Sequence, residues 1–148
     1  DKQIDCIYYN DTFYIVKKNN FEQIVGLQDE YKEEAQKVLE KLQKTNQLEG
    51  LEHIEEQIKN NPSIHKKLVR ISKIGNIDSL DVKTIRKMQS VCKKHGNTLN
   101  IENGKLKIEN EKDIDIVLKM LADYYKTGEV SGKNYGTFAG KIVETVEK

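Results

Sequence analysis

The chain has 148 residues, of which 36% are hydrophobic and 33% are charged, and its formal net charge is +1. This length suits one domain, and no apolar run approaches the roughly 18 residues that a membrane-spanning helix needs. Two cysteines, Cys6 and Cys92, are too few for a disulfide framework and favour a reducing cytoplasm. No secretory signal pattern opens the chain. Its first residue is Asp1 and not Met, and apolar sequence follows soon after, so we expect a piece of a longer protein.

The first third of the chain predicts a hairpin followed by a helix. Ile4–Tyr9 and Thr12–Val16 are β-rich and are separated by an Asn-Asp pair that can adopt positive φ. Phe21–Leu27 fits either a short strand or the lead-in to a helix. Asp29–Thr45 predicts an amphipathic helix, because its apolar residues recur at steps of three and four.

Three further helices are predicted before the next turn. The apolar stripe of Leu48–Ile58 indicates the first. Ser63 is the expected N-cap of the second, which Gly75 ends. Asp81 is the expected N-cap of the third, whose inward residues include Val82 and which ends at Gly96.

The last part of the chain predicts a hairpin, one more helix and a loop. An Asn-Gly pair separates Leu99–Ile101 from Leu106–Ile108, which is a strong hairpin signal. The helix starts at Asn110 or Asp113. Four of the nine glycines lie in the last 21 residues, so a loop is expected after residue 128, with at most a short helix at Lys141–Lys148.

Together these elements predict a mainly helical α+β domain at residues 1–127 and a glycine-rich tail at residues 128–148. About five helices, an N-terminal hairpin and a second internal hairpin are expected. The predicted core residues are Leu39, Leu51, Leu68, Ile71, Ile85, Met88, Leu118 and Leu121.

The sequence offers no positive sign of an enzyme, a metal site or a cofactor site. Cys92 and His95 form one C-x-x-H pair, but a structural zinc site needs four ligands and no second pair has suitable spacing. Cys92 is expected in the core, and His53 and His65 on the surface. The glycines at 136 and 140 lack the spacing of a phosphate-binding loop.

Charge is strongly segregated along the chain. Glu22–Lys59 holds ten acids against five lysines, a balance of −5, whereas Ser63–His95 holds nine bases against two acids, a balance of +7. Such clustering attracts polyanions. Two ordinary solvated helix faces that attract each other also explain it, and this explanation is favoured before any family is considered. The candidate DNA-binding residues are Lys66, Lys67, Arg70, Lys73, Lys83, Arg86, Lys87, Lys93 and Lys94.

Two basic helices followed by an Asn-Gly hairpin also give the order of a winged helix-turn-helix core. Arg70 and Arg86 are the only arginines, so contact with phosphates is favoured over base-specific readout. Aromatic residues are sparse in the basic block, which argues against a platform that stacks single-stranded bases.

Several motifs together resemble a known family. They are Thr12–Val16, Phe21–Val25, Asp29–Glu33, Lys66–Ser72, Ile85–Lys87, Gly104–Leu106, Val117–Tyr125 and Ser131–Tyr135, with a late Lys141. This series resembles the C-terminal half of the KwaB-family proteins. These proteins are the cytoplasmic subunit of the Kiwa bacterial anti-phage system. The resemblance implies a DNA-binding effector that works with a small membrane-embedded partner at the inner face of the membrane.

Three functions remain open at this point. The first is non-specific binding of DNA, with duplex DNA as the expected form, through one continuous basic patch and with the acidic segment facing away. The second is a protein-interaction or oligomerisation module whose basic helices dock an acidic partner or a second copy. The third places an enzymatic activity in a missing N-terminal half.

Overall fold

The computed structural model describes residues 4–74 and 77–140, and the part of the chain so described contains six helices. They are α1 (Lys18–Ile24), α2 (Leu27–Thr45), α3 (Leu51–Asn60), α4 (Pro62–Ile74), α5 (Val82–Lys94) and α6 (Glu111–Leu121). The mainly helical α+β class is confirmed, with six helices where about five were expected. The additional helix is α1, which resolves the ambiguous stretch at Phe21–Leu27.

The strands form three small sheets, numbered in chain order. They are β1 (Cys6–Tyr9), β2 (Thr12–Ile15), β3 (Leu48–Glu49), β4 (Ile101–Glu102), β5 (Lys105–Lys107), β6 (Tyr125–Thr127) and β7 (Asn134–Gly136). β1 pairs with β2 and β6 with β7, both antiparallel. In the third sheet β5 lies between β4 and β3, antiparallel to the first and parallel to the second.

Both predicted hairpins are confirmed, and their turns have the expected backbone. Asn10 and Asp11 both have positive φ, at 49° and 55°, and so have Asn103 and Gly104, at 51° and 80°. Two consecutive residues of positive φ match the right-handed twist of the flanking strands. Leu48 was predicted on a helix and lies instead in β3, paired with Leu106. That pairing joins segments far apart in sequence, which helical periodicity does not reveal.

Side-chain caps begin three of the helices. Asp81 Oδ1 accepts a hydrogen bond from the Thr84 N–H at 2.7 Å, as predicted. Asn110 caps α6 in the same way. The prediction for α4 is wrong, because Asn61 and not Ser63 provides the accepting oxygen, at 3.1 Å from Ser63 N. Pro62 is the first residue of α4, where its missing N–H costs no hydrogen bond.

The core lies where α4 packs closely against α2, with α3 and α6 completing the helical layer. All eight predicted core residues are buried. Val82 was expected inward and is 46% exposed, because it is the first residue of α5 and its turn projects beyond the core. Gly50 has φ +83° and lies so close to the Ile108 carbonyl that a Cβ would overlap its oxygen. The start of α3 therefore contacts the β5 region directly.

The expectation of a loop after Gly128 is wrong in part. Asn134–Gly136 forms β7, which pairs with β6 and brings the chain back to Tyr124. Phe138 then packs partly buried against the core. Gly75 was expected to end the helix that is now α4, and at most a short helix was expected at Lys141–Lys148. Both lie outside the described residues.

Candidate nucleic-acid interface

Helix α5 presents five positive charges on one face. At about 100° per residue, these side chains fall within an arc of about 120°. The arc lies opposite the buried stripe of Ile85, Met88 and Cys92. The helix contains no acidic residue. All five cationic side chains are exposed, and they are Lys83, Arg86, Lys87, Lys93 and Lys94.

The charges on α5 are not neutralised within the described part of the chain. No ion pair among residues 4–74 and 77–140 includes an α5 lysine or arginine. The nearest acid in sequence is the N-cap Asp81. The hydrogen bond from the Thr84 N–H holds the pKa of Asp81 below its usual value, and the positive charge of Lys83 adds to this effect. The positive potential of α5 therefore faces solvent.

Helix α4 uses part of its positive charge inside the fold. Lys66 Nζ lies 2.6 Å from a carboxylate oxygen of Glu22, a residue only 3% exposed. Lys67 Nζ lies 3.3 Å from Asp115 on α6. Burial would raise the pKa of Asp115, but hydrogen bonds from Lys119 and Lys67 lower it below its usual value. Two of the nine candidate residues therefore stabilise the fold.

Helix α2 carries part of the acidic segment and packs on α4. Its buried residues are all apolar and its acidic residues are exposed, so the expectation that the acidic layer faces away from the DNA-contacting surface stays a prediction. A hydrogen bond from Lys37 lowers the pKa of Glu34 on α2, and the charge of Lys73 on α4 acts in the same direction. Attraction between the acidic and basic segments therefore operates within the fold.

The candidate residues line several clefts. Lys66, Arg70 and Lys73 share the face that their spacing predicted, and they line a cleft beside α1 and α2. Arg86 and Lys93 line a polar cleft between α5 and the loop that leads to β4. Lys87 lies at a third cleft, on the side of α5 that faces α6.

Sequence reasoning missed the aromatic residues next to α5. Tyr125 stacks on His95, with ring centroids 3.8 Å apart and planes within 3° of parallel. Asn97 Nδ2 donates a hydrogen bond to the Tyr125 hydroxyl at 3.0 Å. The available signal was the pair of consecutive tyrosines, Tyr124 and Tyr125, that follows α6. Because they are 30 or more residues from α5, the local composition of the basic block did not include them.

The cysteine and histidine residues have structural surroundings. Cys92 is fully buried, and burial raises the pKa of its thiol. His65 was expected on the surface but is 5% exposed, with Nε2 at hydrogen-bond distance from the Ile58 carbonyl. This burial follows from the abrupt passage of α3 into α4 at Pro62. Over residues 4–74 and 77–140, no group of three or more His, Cys, Asp or Glu is placed to hold a metal ion.

Comparison with known proteins supplies a family. The family described as Kiwa protein KwaB-like matches residues 1–131, a range that contains α1 to α6, β6, Tyr124 and Tyr125. The chain belongs to this KwaB-like family. Membership makes it a component of Kiwa anti-phage defence, a system with partner subunits. No curated protein and no solved structure matches this KwaB-like chain. Within its described residues, no helix is long and apolar enough to span a membrane.

Proposed function

We propose that this KwaB-like chain is the DNA-contacting module of an anti-phage effector and that it binds the phosphate backbone without sequence preference. The observation that carries the proposal is the solvent face of α5, with five cations, no acid on the helix and no ion pair to the described residues. Lysines and arginines that neutralise phosphates release condensed counterions, which is the main source of non-specific affinity.

The composition of α5 favours contact with phosphates over recognition of bases. Four of its five cations are lysines, which act as point charges, whereas bidentate recognition of a base edge usually requires arginine. On α4, Arg70 and Lys73 add a smaller contribution because Lys66 and Lys67 are already paired. The proposed interface is thus centred on α5.

The remaining parts of the proposal concern partners and place of action. Duplex DNA is the expected ligand, and a small membrane-embedded subunit is the expected partner. The module would then act in the cytoplasm, recruited to the inner face of the membrane by that subunit. Its family membership and the absence of a spanning helix among the described residues are compatible with this arrangement.

The salt dependence of DNA affinity tests the proposal. Each phosphate contact adds about 0.9 to the magnitude of the slope of log affinity against log salt for duplex DNA. The Lys87→Gln/Lys94→Gln variant should therefore flatten the slope by about two and weaken all sequences alike. The matched control is Lys32→Gln/Lys37→Gln on α2, which removes the same charge and should leave the slope unchanged. An unchanged slope in the α5 variant would contradict the proposal.

A second candidate function, self-association, rests on the β1–β2 hairpin. Both strands are almost wholly exposed although they are apolar. An isolated two-stranded hairpin is marginally stable in water, and large exposed apolar patches mark interaction sites. The exposed side chains, each at least 46% accessible, are Ile4, Ile7, Tyr8, Tyr9, Phe13, Tyr14, Ile15 and Val16.

The two faces of this hairpin differ. Phe13 packs on Phe21 of α1, with ring centroids 5.5 Å apart, so one face is partly covered. The register pairs Ile7 with Tyr14 and Tyr9 with Thr12 on the opposite face, so the strand residues of that face are uncharged. Two copies can approach through this uncharged face without burying a charge. We infer that the occupant is a second copy of the chain.

Light scattering during size-exclusion chromatography tests self-association. The wild-type chain should elute as a dimer, and Tyr9→Asp/Tyr14→Asp should shift it to a monomer without changing the DNA salt slope. Tyr135→Asp on the exposed β7 strand is the matched control and should remain dimeric. A monomeric wild type would contradict the inference. Loss of assembly in Lys87→Gln/Lys94→Gln would instead favour docking through the basic helices.

A further inference from the structure

A cavity of about 270 Å³ lies beside the basic face of α5. Its floor is apolar and is formed by Met88 and Val91 of α5 with Met120 of α6. Both methionines are 6% exposed. Tyr124 and Tyr125 close one side of the cavity. The result is a recess whose inner part is apolar and aromatic.

The mouth of the cavity includes Lys87, which also belongs to the basic face of α5. The other lysine of the cavity, Lys119, is engaged within the fold, because its Nζ lies 2.6 Å from Asp115 and 5.3 Å from the centroid of the Tyr124 ring. Asp123 is similarly paired with Lys126 at 3.2 Å. Lys87 is therefore the cation that the mouth offers to a ligand.

We propose that this cavity binds the base of an unpaired nucleotide whose phosphate lies on Lys87. The inference rests on the proposed function, since the same α5 face holds the phosphates. A phosphate on Lys87 places its own sugar and base at the cavity mouth. Methionine thioethers make favourable contacts with aromatic rings, so Met88 and Met120 form a suitable floor for a heterocycle. Every base has an aromatic ring, and such binding tolerates any sequence.

The shape and chemistry of the recess favour this ligand class over two simpler ones. A small inorganic anion would contact Lys87 but leave the apolar floor in water. A purely apolar ligand would fill the floor but would leave the charge of Lys87 without a counterpart. In an intact duplex each base is paired with the opposite strand and stacked on its neighbours, so only an unpaired base can enter the cavity. Helix α5 should therefore contact the backbone of duplex DNA as proposed above, and single-stranded DNA of the same length should bind more tightly because it also offers an unpaired base.

Fluorescence anisotropy with matched probes tests the inference on the full chain. The probes are a single-stranded oligodeoxynucleotide, the blunt duplex of the same length, and a deoxynucleoside monophosphate as competitor. Wild type should bind the single strand about tenfold more tightly than the duplex. This ratio corresponds to the contribution of about one inserted base, as measured by alanine substitution in other proteins. Val91→Phe fills the cavity and should abolish the preference while keeping the duplex affinity and its salt slope. Gln89→Phe adds the same ring to α5 outside the cavity and should retain the preference.

The outcomes separate this inference from the proposed function. Equal binding of single strand and duplex by wild type would overturn the inference and leave backbone contact by α5 intact. No binding of either probe would overturn both. Competition by the monophosphate, lost in Val91→Phe, together with equal binding of the two DNA forms would identify a free nucleotide as the ligand and overturn the assignment to a DNA strand. If Val91→Phe fails to fold, Ser79→Phe blocks the mouth from an exposed position and should give the same loss of preference.

Discussion

Helices α4 and α5 show how similar sequences acquire different roles. Each has 13 residues, several cations and no acidic residue. Helix α4 packs against α2, α3 and α6, and carboxylates from α1 and α6 reach Lys66 and Lys67. Helix α5 contacts its neighbours mainly through its apolar stripe, and its cations face solvent. A run of positive charge therefore indicates a binding surface only where acids from other elements do not approach it.

The difference has a physical cause in the burial of Glu22. A carboxylate that is 3% exposed requires an ionic or hydrogen-bonded partner, because an unpaired buried charge is strongly destabilising. Lys66 provides this partner from a position that is itself 41% exposed. Among the described residues, no cation of α5 forms an ion pair with an acid. The two helices therefore respond differently to the loss of a side chain.

The largest expected effect concerns the core of α4. Leu68 is fully buried, so Leu68→Ala should lower the free energy of unfolding by about 2–5 kcal/mol. Val82→Ala on α5 is the control, because Val82 is 46% exposed and its truncation should cost far less. Urea unfolding measures both. Equal stability losses in the two variants would contradict the central position of α4.

A smaller effect is expected for the lysines of the two helices. Lys66→Met removes the closer of the two lysines paired with the buried Glu22 among the described residues and leaves Lys18 at 3.8 Å, so it should cost about 1–3 kcal/mol. Lys83→Met on α5 should change stability by no more than about 0.5 kcal/mol. The double variant Glu22→Gln/Lys66→Met should recover part of the loss, because it removes the unpaired charge. Similar costs for the two single variants would remove the distinction between the helices.

The smallest effect is a pH dependence of the contacts that Asp115 makes with Lys119 and Lys67. The pKa of Asp115 is lowered in the folded chain, so its carboxylate stabilises the fold above its usual pKa. This contribution should decrease once the pH falls below about 4, the usual pKa of an aspartate, and should disappear as the pH passes the lowered pKa of Asp115. The stability difference between wild type and Asp115→Asn should therefore be constant near neutrality and shrink in acid. Urea unfolding at several pH values measures it, and a difference that grows in acid would contradict this assignment.

Where sequence analysis succeeded, the interactions were local. The turns at Asn10-Asp11 and Asn103-Gly104 and the cap at Asp81 depend on residues within three positions. The apolar stripes of the long helices also follow from spacing within the helix, which is why the eight core residues were correctly predicted. His65 and Leu48 were misplaced because their surroundings come from other elements.

By itself the sequence determined the α+β class, the helix stripes, the hairpin turns and the family, since these depend on near neighbours or on motifs spread along the chain. Only the tertiary structure decided which cations remain available to a ligand. Lys66 meets Glu22 across 44 residues and Lys67 meets Asp115 across 48. Tyr124 and Tyr125 approach α5 in the same long-range way. Ion pairing and cavity formation depend on distances in space, and spacing along the chain does not report them.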